Sequence, residues 1–166
     1  MGSSAIAAGE SPLSQLFIGK EHIIVQKESF APAAALAAWT MIMLVWMFIV
    51  TGKAFRMAGL DTSNSKPGSR GQDLAGTLPD RALWPSHNYT HLVEQPTIFY
   101  PIVIIMGIYG GSKLDLYCAW MYVAIRVAHS CWQATINTIS FRFALFALSS
   151  FILLYMTMRV LIATFT

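Results

Sequence analysis

Two short runs of this chain hold polar side chains in otherwise apolar surroundings. "HNYTHLVEQPTIFYP", His87 to Pro101, sets His87, Asn88, His91, Glu94 and Gln95 at the mouth of a long apolar stretch. "RVAHSCWQATIN" carries Arg126, His129, Ser130, Gln133 and Asn137, and Arg142 follows. At about 100° per residue the first set shares one broad helical face. Positions 126, 130, 133 and 137 fall at i, i+4, i+7 and i+11, a single stripe. Ionisable groups inside a membrane are costly and face a cavity or another helix. The chemistry available is therefore an ion pair, or a polar site that accepts an anion.

Depth decides whether the runs can meet. If one helix enters where the other leaves, Glu94 lies two turns in, roughly 10 Å, and Arg126 lies about 16 Å above Asn137. A Glu94–Arg126 pair is expected, because a buried carboxylate without a partner is protonated or strongly destabilising. Polar glue between helices is one reading of the cluster. The other is an anion-accepting site open at one membrane face, and the number of polar groups exceeds what one ion pair needs.

The elements that position these residues are long and apolar. Of 166 residues, 55% are hydrophobic and 11% charged; soluble domains carry about 25% charged residues. Mean hydropathy is +0.54. The spacing predicts an all-α integral membrane protein of four spans, near residues 31–55, 87–109, 114–137 and 140–164, in one domain over 31–166. Residues 58–86 read as a loop rich in Gly, Pro, Ser and Asp. The short links after spans two and three predict antiparallel hairpins and a four-helix bundle. Residues 1–30 form an N-terminal extension that lacks a signal-peptide pattern; its "LFIG" and "HIIV" patches suit a membrane surface or a partner.

Loop one holds Lys53, Arg56, Lys66, Arg70 and Arg81, and loop three holds Arg142. These loops are expected in the cytoplasm and both termini outside. Arg159, near the far end of span four, is expected to snorkel. A net charge of +3 without a basic cluster excludes a nucleic-acid binder. Cys118 and Cys131, thirteen residues apart on one helix, cannot pair and read as packing residues. The Asn88-Tyr89-Thr90 sequon reads as chance, since the orientation places it inside. His87, His91 and Glu94, with His129, are a zinc-like set; ordinary hydrogen bonding is preferred because no HExxH pattern supports a metal. Pro96 and Pro101 are expected to bend span two.

"NYTHLVEQPTIFYPIVI" and "AWMYVAIRVAHSCWQATINTISFRFALFALSS" together resemble the MAPEG family, membrane-associated proteins of eicosanoid and glutathione metabolism, and its bacterial branch in particular. The carriers are the spacing N-x5-E-x-P-x-x-F-Y, then "RVAHS", Asn137 and Arg142. The resemblance covers residues 33–165. It implies a homotrimer of four-helix protomers in a bacterial inner membrane, with glutathione bound near the cytoplasmic side. It implies binding by Asn88, His91, Glu94, Arg126, His129 and Arg142, with Arg126 and Arg142 as catalytic groups. The activity implied is a transferase or peroxidase acting on a lipophilic small molecule; a non-catalytic, lipid-binding or structural member is the alternative. The chain departs from the animal enzymes in carrying Gln133 and Phe146 where they carry tyrosines, and in having His91 between Asn88 and Glu94.

Overall fold

The computed structural model describes residues 27–60, 68, 73 and 76–165. Residues 1–26 of the extension, and most of loop one, lie outside the described residues. A 3-10 turn, Lys27–Phe30, leads into α1, Ala31–Met57. Then follow α2, Asp80–Glu94; α3, Pro96–Tyr109; α4, Lys113–Thr135; and α5, Ile139–Phe165. Gln95 alone separates α2 from α3, so these two form one interrupted rod and the fold is a bundle of four rods.

Three rods are long and apolar enough to cross a membrane: residues 27–57, 80–109 and 139–165. From Ala31 to Gly52 no residue is charged, which is about 33 Å of helix. The fourth rod, α4, is long enough, but it carries the polar stripe. Its position explains how that polarity is tolerated. It packs on α1, α2 and most extensively on α5, and it buries Asp115, Tyr122, Arg126, His129, Ser130 and Gln133. The long α1, by contrast, buries only Pro32, Leu36 and Met43 and turns Met41, Ile42, Val45, Phe48 and Ile49 outward.

The hydrophobic core gathers Leu36, Met43, Leu92, Phe99, Val103, Tyr122, Leu153 and Met156. Phe99 stacks on Tyr122 with ring centroids 4.4 Å apart, an aromatic contact of about 1 kcal/mol beyond its buried area. The opening turn is anchored by Phe30. A Cβ added to Gly107 on α3 would meet the Phe30 ring at 2.7 Å, so the ring sits in space that only glycine leaves.

The turns follow local chemistry. Gly110 closes α3 in the left-handed region, φ 81°, where glycine is unstrained. Ser112 and Asp115 then form a reciprocal capping box at the start of α4. Asp115, 2% exposed, also accepts from Arg159 Nε and Nη2, both at 3.2 Å. Arg159 therefore ties the end of α5 to the start of α4 instead of snorkelling freely.

Three boundaries differ from the sequence expectation. The second rod begins at Asp80, not His87: Pro79 sets the extended residue before the helix, and Asp80 places a carboxylate in the first turn, where it favours the helix dipole. Span three ends at Thr135, and Asn137 leaves the helical stripe for the α4–α5 turn with φ 61°, a conformation asparagine tolerates. The second rod is interrupted at Gln95, whose backbone stays helical at φ −64° and ψ −38°, because Pro96 offers no N–H to the Leu92 carbonyl, while Pro101 is accommodated inside α3.

Candidate functional site

The polar residues divide into three groups. The first gathers around Ser130; its donors are satisfied, while Asn88 Oδ1 is buried without a partner. Asn88 Nδ2 donates to Ser130 Oγ at 2.8 Å, and Trp39 Nε1 donates to the same oxygen at 3.0 Å. A hydroxyl oxygen has two lone pairs, so one serine pins α1, α2 and α4 together. Asn88 is fully buried, which leaves no room for a glycan on the sequon. Trp39 was not legible as a partner, although a lone indole in the alanine-rich first half of α1 was its one signal.

The second group surrounds Arg126, which is 1% exposed. Its Nε donates to the Tyr122 hydroxyl at 3.1 Å. The guanidinium carbon lies 5.4 Å from the Tyr122 ring centroid and 5.5 Å from that of Phe146, within cation–π range. Its Nη2 is buried with no hydrogen-bond partner. The expected Glu94–Arg126 ion pair is not formed. Glu94 is 60% exposed and faces His91, whose Nδ1 lies 3.6 Å from Glu94 Oε2. At about 100° per residue Glu94 lies about 120° around α2 from Asn88, the residue that faces Ser130 on α4. Tyr122 is a site residue the sequence reading missed; its place one turn before Arg126 was the available sign.

The third group opens to the surface. His91, His129, Ile139, Arg142, Phe143 and Phe146 line a cavity of about 200 Å³. The two imidazoles meet edge to face with centroids 5.9 Å apart. Arg142 Nη1 donates to Asn137 Oδ1 at 2.6 Å, and its Nε is buried without a partner. Phe146 links this cavity to the Arg126 group, since it lines the one and stacks on the other. No three of the histidine, cysteine and carboxylate groups among the described residues converge on a metal position. Cys131 is exposed and Cys118 half-buried, so the packing role expected of Cys131 is not seen within the chain.

Taken as a class, this is a helical membrane bundle with two under-satisfied arginines beside an apolar cavity at one end. A family model described as the MAPEG family matches residues 29–162, and the chain belongs to that family. No curated protein and no solved structure gives a significant match.

Proposed function

We propose that the chain is a glutathione-dependent membrane transferase or peroxidase, working as a homotrimer on a lipophilic electrophile or hydroperoxide. The observation that carries this reading is Arg126: a guanidinium 1% exposed, with Nη2 unpartnered and no carboxylate paired to it among the described residues. An uncompensated buried charge is strongly unfavourable, so the site suits an anion from outside the chain. Glutathione has two carboxylates and a thiol, and the donor set fits them in sign and type.

Arg126 and Arg142 would hold the anionic groups, with Asn88, His91, Glu94 and His129 around them. Glutathione would supply the sulfur nucleophile. A cation beside a thiol favours the thiolate, and Arg142, on the cavity wall, is the group best placed for that role. Ile139, Phe143 and Phe146 give the cavity an apolar side for the second substrate. Tyr122 provides a hydroxyl next to Arg126 in a site where Gln133 and Phe146 replace the tyrosines of the animal enzymes.

Calorimetric titration with glutathione in detergent tests the reading. Binding is expected, and Arg126→Ala or Arg142→Ala should weaken it about tenfold or more, as loss of a charge-assisted hydrogen bond implies. Absence of binding at millimolar glutathione, or binding indifferent to both substitutions, overturns it. A non-catalytic member is the second reading. The hydrogen bonds from Trp39 and Asn88 to Ser130 favour it, because they join three helices within the chain and serve assembly.

A further inference from the structure

A separate groove of about 510 Å³ lies between the end of α1 and the start of α2, lined by Val50, Lys53, Ala54, Met57, Pro79 and Ala82, with Arg81 at its edge. Its volume is in the range of ligand-binding clefts. The lining is apolar except for two cations, one from each helix. Neither Lys53 nor Arg81 is ion-paired among the described residues. Arg81 lies 5.7 Å over the Trp84 ring, an aromatic–cation pair of the kind found at membrane interfaces.

Depth identifies the ligand chemistry. Lys53 is the first charge after the apolar run that starts at Ala31, so it stands where α1 leaves the hydrocarbon, at headgroup level. Met57 is 89% exposed, and Phe48 and Ile49 continue an outward apolar surface along the same helix. A free polar anion would use the cations and leave the apolar wall bare. An amphiphile with a phosphate head uses both. We infer that this groove binds one anionic phospholipid, its phosphate between Lys53 and Arg81 and an acyl chain along Val50, Ala54 and Met57. The site is distinct from the arginine cluster on α4 and α5 and does not depend on the reading of that cluster.

The test is native mass spectrometry of the full chain released from nanodiscs of phosphatidylglycerol and phosphatidylcholine in equal parts. Each juxtamembrane cation favours an anionic headgroup modestly, so two should give a preference of about tenfold for retained phosphatidylglycerol. Lys53→Gln/Arg81→Gln should abolish the preference. Lys53→Arg/Arg81→Lys, which keeps both charges, should retain it, as should Arg56→Gln, a neighbouring cation outside the groove. Equal retention of the two lipids by the unmodified chain overturns the proposal. So does a preference that survives in the double glutamine variant, or no retained lipid at all, the result expected if loop one itself fills the groove.

Discussion

Ser130 and Arg126 lie four residues apart on α4 and pose opposite problems. Ser130 accepts from two donors, Asn88 buried and Trp39 half-buried, so Ser130→Ala leaves the Asn88 amide and the Trp39 indole without an acceptor. The expected cost is about 2 kcal/mol, read as a lowered thermal midpoint in detergent, and Asn88→Leu in the same background should recover part of it. Arg126 has the reverse signature. Replacing a buried, uncompensated charge with an apolar side chain of similar length is neutral or stabilising. Arg126→Met is therefore expected to unfold no earlier than the unmodified protein without glutathione, and to lose the thermal shift that millimolar glutathione confers. A large drop in stability without ligand would instead mark Arg126 as assembly glue.

At the scale of elements, the joints decide the geometry. Pro96 breaks the second rod at Gln95, and Gln95 Nε2 donates to Ser150 Oγ at 2.7 Å, so the break is pinned to α5. The Phe30–Gly107 contact pins the opening turn to α3. Gly107→Ala gains about 1 kcal/mol of helix propensity but drives a methyl into the Phe30 ring. The expected result is little change in the global midpoint and faster hydrogen exchange across residues 27–30. With Phe30→Ala present the clash is gone, and Gly107→Ala should then stabilise by about 1 kcal/mol. The gain in midpoint that appears only with Phe30→Ala checks the contact.

For the whole molecule, the outward surface of α1 and α5 is the dominant feature: Phe48, Phe151, Leu154 and Phe165 are all exposed. Such a surface needs lipid or further copies of the chain. The lysine and arginine distribution over the loops predicts an orientation that can be measured. In a background with Cys118 and Cys131 replaced by alanine, Met57→Cys is expected to resist a membrane-impermeant maleimide applied to intact cells, and Lys113→Cys to react. The opposite pattern would invert the topology and move the cavity around Arg142 to the outer face.

Hydropathy, the charge-free run in span one and the glycine-serine hairpin before span three made the all-helical membrane architecture legible from residue order alone. These features depend on local sequence: a helix long enough to cross, a loop too polar to stay buried, a turn too short for anything but antiparallel neighbours. The stripe on α4 was legible for the same reason, since a helical period is a property of the chain. Which polar group meets which was not. Glu94 and Arg126 were expected at a similar depth, yet Glu94 faces His91 one turn back on its own helix and Arg126 faces Tyr122 on its own. Asp115 and Arg159, separated by 44 residues, meet because α4 and α5 pack along their whole length. Azimuth and packing set those pairings, and both arise only when the helices are assembled.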